Sequence, residues 1–215
     1  PIFKRTTDGG ATWIPTKGGG IFHYVNTSVG YSFTASPEGN PPFTISKTTD
    51  GGSTWTEQHT DYTLGNLEAI QFIDENNGWI VGYNGKILKT TNGKDWIPIT
   101  NALPNTDFEN SDLSFISSTT GWIATQANAD GSSPFMLKTT DGGNSWTSES
   151  LPLGNRVFSM DFWDANNGWA SSDSYNYDGI YYPGQITKYS VFSGTFSNAV
   201  LNGPWFVYAN LNPIN

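Results

Sequence analysis

The sequence contains no cysteine, two histidines and only two arginines, Arg5 and Arg156. Without cysteine the chain has no disulfide framework and no thiolate ligands for zinc. His23 and His59 are isolated in the sequence and have no close metal-binding partner, so they do not indicate a zinc site either. The residue types present therefore do not predict a zinc site.

Charge is also scarce, and it is mostly of one sign. Charged residues make up 13% of the 215 residues, and the formal net charge is -9. An acidic surface repels phosphate backbones and anionic membranes, so nucleic acid is not an expected partner. No apolar run approaches the roughly 20 residues that a membrane-spanning helix needs. We therefore expect no membrane insertion.

Glycine, asparagine, serine, threonine and aromatic residues take the place of the missing charges. The chain has 24 glycines, and aromatic residues make up 15% of it. This composition is typical of short strands joined by many turns and not of helices. A single all-β domain over residues 1–215 is the expected class.

An eight-residue motif recurs along the chain and describes its architecture. The copy at residues 48–55 reads Thr-Thr-Asp-Gly-Gly-Ser-Thr-Trp, and near copies lie at 6–13 and 139–146. A copy one residue shorter lies at 90–96. The motif tryptophans are separated by 42, 41 and 50 residues. A period of about 40–50 residues is that of a four-stranded β-propeller blade.

A glycine followed by an aromatic residue is a second landmark with the same period. It follows a polar turn each time, at Gly30-Tyr31, Gly78-Trp79, Gly121-Trp122 and Gly168-Trp169. Asparagine and glycine tolerate the positive φ of tight turns, so we predict turns between the first and second strands of each blade. One turn position is occupied in turn by Asn26, Asp74, Ser117 and Asp164. This interchange indicates a turn-forming role and not a catalytic one.

The two landmarks divide the chain into blades. We predict a partial blade at 1–16, full antiparallel blades at about 20–59, 66–100, 110–151 and 155–201, and a final strand at 204–210. Residues 188–196 are interpreted as a worn copy of the octet. The sequence is compatible with two arrangements, a closed five-bladed propeller and a piece of a larger propeller. Since the chain begins inside a repeat, a piece of a longer protein is the simpler expectation.

Each residue type in the octet has a structural task. The aspartate can accept hydrogen bonds from backbone N–H groups of its own turn. The glycines supply torsions that other residues resist, and the tryptophan is expected to pack between neighbouring blades. We therefore assign a structural role to Thr6, Asp8, Gly10, Trp13, Thr48, Asp50, Gly52, Trp55, Asn92, Trp96, Thr139, Asp141, Gly143 and Trp146.

The octets resemble the Asp-box, or bacterial neuraminidase repeat, whose pattern is Ser/Thr-x-Asp-x-Gly-x-Thr-Trp. Thr48, Asp50, Gly52, Thr54 and Trp55 match its fixed positions. The wider unit, Asn-Asn-Gly-Trp through Gly-Lys-Ile-Leu-Lys-Thr-Thr, is most similar to propellers of the photosystem II stability and assembly factor type. The resemblance implies a β-propeller. Its functions range over sialidases, xyloglucanase-type glycoside hydrolases and sortilin-type receptors.

Departures from these families narrow the expected functions. The resemblance to sialidases implies three arginines that clamp a carboxylate, and the chain has two in total. The resemblance to the assembly factors implies a basic surface patch, which a net charge of -9 does not favour. Neither sialidase activity nor a photosynthetic role is therefore expected.

The repeat is broken most clearly at residues 171–184, and the candidate site residues lie there. Tyr175, Tyr177, Tyr181 and Tyr182 combine with small polar residues as in binding loops, so we predict that they contact a ligand. Packing of the tyrosines on the propeller rim is the alternative. Asp173 and Asp178 have no equivalent in other blades and are the candidates for a glycosidase carboxylate pair.

A calcium site and an enzyme are weaker expectations. Residues 128–131 resemble part of a calcium loop, but Leu137 stands where a bidentate glutamate would be needed. No cofactor is therefore expected, with a looser calcium site left open. No nucleophile–base set or phosphate-binding loop is present in the sequence.

We expect a non-catalytic propeller, secreted or on a bacterial cell surface, that binds a protein or a glycan. Further domains of a longer chain are possible partners. One alternative is part of a xyloglucanase-like glycoside hydrolase. The other is a structural repeat module of a large adhesin or filament.

Overall fold

The computed structural model describes residues 3–16, 20–34, 43–61, 67–82, 85–99, 110–125, 135–150, 157–172, 175–177, 180–182, 184–190 and 197–200. All regular structure in these ranges is β-strand. The same ranges contain no helix of the length and apolar character that crossing a membrane requires. The contacts divide the chain into two compact units, Pro1–Thr100 and Asn101–Asn215, which are described separately.

The first unit contains a two-stranded sheet and two four-stranded sheets, all antiparallel. The two-stranded sheet pairs β1 (Lys4–Arg5) with β2 (Ile14–Pro15). The first blade is formed by β3 (Ile21–Tyr24), β4 (Gly30–Thr34), β5 (Phe43–Thr48) and β6 (Thr56–Asp61). The second blade is formed by β7 (Leu67–Phe72), β8 (Gly78–Gly82), β9 (Ile87–Thr90) and β10 (Ile97–Pro98).

The second unit contains two more four-stranded antiparallel sheets and a short hairpin. The third blade is formed by β11 (Asn110–Phe115), β12 (Gly121–Thr125), β13 (Phe135–Thr139) and β14 (Thr147–Ser150). The fourth is formed by β15 (Val157–Asp164), β16 (Asn167–Ser172), β19 (Gln185–Ser190) and β20 (Ser197–Val200). Between β16 and β19 lies the hairpin of β17 (Tyr175–Tyr177) and β18 (Ile180–Tyr182).

These sheets confirm the predicted all-β fold of four-stranded antiparallel blades. Successive strands pair in chain order within each blade, as in a propeller blade. The predicted final strand at 204–210 and residues 191–196 of the worn octet lie outside the described residues.

Aromatic stacking joins successive blades inside each unit. In the first unit the ring of Tyr31 lies 3.6 Å from that of Phe72 with an interplanar angle of 7°. In the second, Trp122 stacks on Phe162 at 3.9 Å and 7°. Tyr31 and Trp122 hold the same second-strand position and are both fully buried. At Tyr31 and Trp122, the aromatic residue of the Gly-aromatic landmark therefore packs on the first-strand ring of the next blade.

A lysine on the third strand lies over the second-strand aromatic ring of the same blade. The pairs, with distances from Nζ to the ring centroid, are Lys47 over Tyr31 at 5.2 Å, Lys89 over Trp79 at 5.7 Å, Lys138 over Trp122 at 5.3 Å and Lys188 over Trp169 at 5.9 Å. Each pair is also directly opposed across the strands. These contacts have the geometry of cation–π interactions. The third-strand lysine is thus part of the repeat, as the residue that precedes the octet threonine.

The glycines of the Gly-aromatic landmark serve a purpose other than the one predicted for them. None of the four has a positive φ, which occurs instead at glycines such as Gly51 and Gly52 of the octets. A Cβ at Gly121 would lie 2.2 Å from Cδ1 of Phe115, and one at Gly78 would lie 2.5 Å from Cε1 of Phe72. The missing side chain therefore makes room for the first-strand aromatic ring of the same blade.

Candidate functional site

The octet aspartates are held by hydrogen bonds inside their own turns. Thr48 Oγ1 accepts a hydrogen bond from Gly52 N at 2.8 Å and donates one to Asp50 Oδ1 at 2.8 Å. Thr54 donates to the same carboxylate twice, from N to Oδ1 at 2.8 Å and from Oγ1 to Oδ2 at 2.6 Å. The octets around Asp8 and Asp141 repeat this network. The arrangement makes each octet a closed turn.

These hydrogen bonds keep the octet carboxylates ionised. The pKa of Asp50 falls from 3.8 to about 2, chiefly because of the hydrogen bond from the Thr54 side chain. The pKa values of Asp8 and Asp141 fall to about 2 for the same reason, through Thr12 and Ser145. A carboxylate with a pKa near 2 has no proton to donate near neutral pH. The octet aspartates are therefore unsuited to general acid catalysis.

The shortened octet closes its turn with an asparagine. Asn92 Oδ1 accepts hydrogen bonds from the backbone N–H groups of Lys94 at 3.0 Å and Asp95 at 2.8 Å. Asn92 Nδ2 donates to Asp95 Oδ2 at 2.8 Å. In the full octet the direction is the opposite, because the Asp50 carboxylate accepts from the Thr54 hydroxyl. The turn is thus preserved after the loss of one residue.

The octet tryptophans pack differently from the sequence prediction. Trp96 and Trp146 are buried, and each meets edge-on the first-strand ring of its own blade, Phe72 or Phe115. Their ring contacts therefore lie within a blade, whereas the sequence predicted contacts between neighbouring blades. Trp13 is 57% exposed. Its two-stranded sheet has no first strand among the described residues, so the ring lacks the aromatic surface that covers the others.

The turn position occupied by Asn26, Asp74 or Ser117 caps the polar turn before each Gly-aromatic landmark. Asp74 Oδ1 accepts from Asn76 N at 2.7 Å and from Asn77 N at 2.8 Å, and Asn26 and Ser117 accept in the same way. The first octet glycine then donates its N–H to the same turn. The three bonds are Gly51 N to Ser28 O, Gly93 N to Asn76 O and Gly142 N to Thr119 O. Each of these three octets is therefore hydrogen-bonded to the first turn of its own blade.

Acid is expected to weaken the folded state as the octet carboxylates titrate. Their pKa is about 2 in the folded protein against an ordinary 3.8, so their stabilisation is complete above pH 3.8. It is lost as the pH falls through about 2. Asp112 acts in the opposite sense because burial raises its pKa. It is one carboxyl group against five, since hydrogen bonds in their turns also lower the pKa values of Asp74 and Asp164. Melting temperatures measured by circular dichroism down to this pH range check the expectation.

A matched variant separates the octets from general acid unfolding. Replacing Asp8, Asp50 and Asp141 together by asparagine keeps an acceptor in each turn and removes the titrating group. The variant should melt lower than the wild type at neutral pH and should lose less stability on acidification. An identical acid profile in both proteins would show that the octet carboxylates do not govern it.

The four candidate tyrosines lie on the hairpin of β17 and β18. Its register pairs Tyr175 with Tyr182, Asn176 with Tyr181 and Tyr177 with Ile180. Directly opposed residues share a face of the sheet, and faces alternate along a strand. The positions of Tyr175, Tyr177 and Tyr182 therefore fall on one face of the hairpin, and that of Tyr181 falls on the other. The dipeptide Asp178-Gly179 between the strands is the sequence signal that predicts such a hairpin.

The other candidate residues lie outside the described residues. These are Asp173, Asp178 and the calcium-like segment 128–131. The glycosidase pair and the calcium loop therefore remain predictions. In the ranges that the structure describes, no three histidine, aspartate or glutamate side chains converge in the manner of a metal site. His23 donates from Nε2 to the carbonyl oxygen of Phe72 at 2.8 Å, so it joins the first two blades.

A cleft of about 390 Å³ is lined by residues of the fourth blade. Its lining includes Trp169 and Asp161, which are opposed across β15 and β16. Trp169 is 38% exposed, whereas Trp122 at the same position is fully buried. Asp161 is the one carboxylate among the described lining residues, so the cleft does not supply a glycosidase pair.

Comparison with known proteins agrees with the repeat and the fold. The family described as "Photosynthesis system II assembly factor YCF48" matches residues 53–158. The solved structure "YCF48 bound to D1 peptide" is 25% identical, with a TM-score of 0.50 over 62% of this chain and 39% of that one. The chain is an Asp-box β-propeller related to the photosystem II assembly factor.

Two further structures share the fold of this propeller at lower identity. YCF48 from Cyanidioschyzon merolae is 18% identical, with a TM-score of 0.58 over 94% of this chain and 65% of its own. The GH74 enzyme of Niastella koreensis is 18% identical, with a TM-score of 0.66 over 92% of this chain and 34% of its own. The chain thus spans between about a third and two thirds of the length of these structures. No curated protein matches it significantly.

Proposed function

We propose that this propeller is a non-catalytic module that binds a protein partner through the tyrosine hairpin of β17 and β18. The observation that carries the proposal is the register of the hairpin, which collects Tyr175, Tyr177 and Tyr182 on one face. The hairpin is inserted where the repeat is broken, between β16 and β19 of the fourth blade. A secreted or bacterial cell-surface location is part of the same proposal.

The chemistry of tyrosine suits this task. A tyrosine ring offers a large, rigid contact area with few torsions to fix, and its hydroxyl group adds a hydrogen bond. A two-stranded hairpin is only marginally stable alone, but β16 and β19 pair directly with each other and hold both of its ends. A rigid scaffold that presents a variable segment is a common design for binding proteins.

The comparisons support a protein ligand more than a carbohydrate. The assembly factor with 25% identity was solved with a D1 peptide bound, so a related propeller binds polypeptide. The likeness to the GH74 enzyme is at 18% identity and concerns the fold alone. The octet and turn carboxylates of this chain are all engaged in turns, which favours a binding role over a catalytic one.

The test compares the two faces of the hairpin. One variant replaces Tyr175, Tyr177 and Tyr182 by serine, and the control replaces Tyr181, on the opposite face, by serine. The probes are the D1 peptide, peptides selected on the wild-type protein from a random displayed library, and xyloglucan oligosaccharides. Tyrosine is enriched among the few interface residues whose truncation weakens binding most, so we expect the triple variant to bind its peptide about a hundredfold more weakly. Calorimetry measures this loss.

The alternatives predict other outcomes. Unchanged peptide affinity in the triple variant at an unchanged melting temperature would contradict the proposal. Hydrolysis of β-glucans that Asp173→Asn or Asp178→Asn abolishes would establish a glycoside hydrolase instead. Wild-type protein that binds no probe would favour the structural module of an adhesin or filament.

A further inference from the structure

The first strand of the fourth blade has an aromatic side chain at a position that is not apolar in the other blades. Phe158 lies in β15 and is 62% exposed. It precedes by four residues the first-strand aromatic residue that is opposed to the landmark glycine. The residues at the same distance in the other three blades are Gly20, Glu68 and Ser111. A large apolar side chain at this position therefore departs from the repeat.

A β-bulge surrounds Phe158. The register of β15 against β16 shifts by one residue there, so Phe158 is the extra residue and has none directly opposite it. The second and third blades have the same shift, at Glu68 and Ser111. A bulge redirects the side chain of the strand at that point. The fourth blade thus keeps the bulge of the repeat and places an aromatic residue where the other blades have a polar one.

The position of Phe158 is accessible in a blade that has a successor. The second blade is followed along the chain by the third, and it has the charged residue Glu68 at this position. Glu68 is only partly buried. Glutamate is almost never fully buried unless it is paired. The exposure of Phe158 therefore matches the exposure that the repeat gives to this position and does not require a missing strand to explain it.

Phe158 lies at the end of the blade from which the tyrosine hairpin extends. The preceding residue, Val157, is opposed to Ser172, which is the last residue of β16. Ser172 Oγ accepts a 3.1 Å hydrogen bond from the backbone N–H of Gln185, the first residue of β19, and this bond closes the base of the insertion. Since neighbouring strands lie about 4.8 Å apart, the base of the hairpin begins within about 10 Å of Phe158.

A second exposed aromatic residue of β15 lacks these features. Trp163 is 54% exposed and also lies at a bulge, but it is near the opposite end of the strand. Its equivalents in the other blades are Val25, Ile73 and Ile116, so an apolar residue at this position belongs to the repeat. Trp163 therefore resembles Phe158 in strand and exposure but not in its distance from the hairpin.

We propose that Phe158 extends the polypeptide-binding surface of the tyrosine hairpin and selects a partner segment that carries a large aliphatic or aromatic side chain. The inference rests on the proposed function, because the same segment binds to the hairpin. An extended chain advances about 3.3 Å per residue, so three or four residues span the distance between the two contacts. Aromatic side chains are enriched at the centres of protein interfaces, where they bury apolar area.

The test compares the two exposed aromatic residues of β15. The probe is the peptide selected on the wild-type protein from the random displayed library. Phe158→Ser should bind it about tenfold more weakly, because serine removes the apolar contact of the ring. Phe158→Leu keeps an apolar contact and should stay within about threefold of wild-type affinity. Trp163→Ser should bind like the wild type. Calorimetry measures the affinities.

Melting temperatures separate binding from folding in this comparison. The side chain of Phe158 is mostly exposed, so its replacement by serine should leave the melting temperature close to that of the wild type. Circular dichroism measures this for each variant.

Alanine replacements in the peptide identify the side chain that Phe158 contacts. One large apolar residue of the peptide should weaken binding to the wild type about tenfold when it is replaced, and binding to Phe158→Ser less than about twofold. Such coupling is expected for side chains in contact and not for distant ones. A peptide in which no apolar residue is coupled to Phe158 would contradict the assigned specificity.

The outcomes distinguish this inference from the proposed function. If the serine variant at Tyr175, Tyr177 and Tyr182 loses the peptide while Phe158→Ser keeps wild-type affinity, the inference is overturned and the proposed function stands. Equal weakening by Phe158→Ser and Trp163→Ser would also overturn the inference, because the distance from the hairpin would then not matter. Wild-type affinity in the triple variant would contradict the proposed function itself.

Discussion

Replacing Trp122 by alanine should destabilise the protein by about 3–5 kcal/mol, the usual cost of removing a buried large aromatic side chain. The Trp122 side chain is fully buried, stacks on Phe162 at 3.9 Å and lies under Lys138. The substitution therefore removes buried area, the stack that joins the third and fourth blades and a cation–π contact together. Urea unfolding followed by circular dichroism measures the loss.

Trp163→Ala is the matched control for this experiment. Trp163 belongs to the same unit, but its side chain is 54% exposed. Substitution of an exposed residue usually changes stability by less than about 0.5 kcal/mol. Equal losses in the two variants would show that the stacked ring is not what joins these blades.

The second large effect is expected at Gly93. Gly93→Ala should cost about 3 kcal/mol, through a left-handed torsion and a collision with the backbone. Its φ is +67°, and a Cβ there would lie 2.4 Å from the carbonyl oxygen of Glu75 and 2.5 Å from the Tyr31 hydroxyl. The carbonyl belongs to the capped turn of the second blade, so it cannot withdraw without breaking that turn. Thermal and urea unfolding measure the change.

Gly9 offers an internal control for the torsion alone. It is the equivalent glycine of the first octet, its φ is +70°, and a Cβ there would meet nothing within 4 Å. Gly9→Ala should therefore cost only about 1 kcal/mol, the torsional part. The difference between the two variants isolates the collision. If both substitutions cost the same, the packing of Tyr31 against the octet turn would not contribute to stability.

The sequence was sufficient to predict the architecture because the same motif recurs at a regular spacing along the chain. Octets such as Thr48–Trp55 have a turn chemistry that few other structures require. The Gly-aromatic pairs recur with the same period, so the strand order within a blade followed. The interchange of Asn26, Asp74 and Ser117 likewise indicated a capping position, and their hydrogen bonds show how the turns are capped.

Other features depend on contacts between strands, which periodicity alone does not specify. The glycine of Gly121-Trp122 suggested a positive φ, but its role is to admit the ring of Phe115. The octet tryptophan was expected between blades, but Trp96 packs on Phe72 of its own blade. The stacking position belongs instead to residues such as Tyr31, which the sequence marked only as a landmark. Each correction comes from knowing which ring lies over which strand.

The sequence predicted which segment contains the candidate site, but it did not predict which of its residues share a surface. The sequence identified Tyr175, Tyr177, Tyr181 and Tyr182 because they have no equivalents in other blades. Only the pairing of β17 with β18 shows that three of these positions share a face.

The central claim is that the repeated residues build the propeller and that binding belongs to the hairpin that breaks the repeat. The most direct measurement compares peptide affinity and melting temperature in two variants, Asp50→Ala and the triple serine variant at Tyr175, Tyr177 and Tyr182. Asp50→Ala should melt lower and, below its melting temperature, bind the selected peptide with wild-type affinity. The triple variant should melt like the wild type and lose the peptide. Binding that survives the loss of the tyrosines and fails with Asp50→Ala in its folded state would contradict the account.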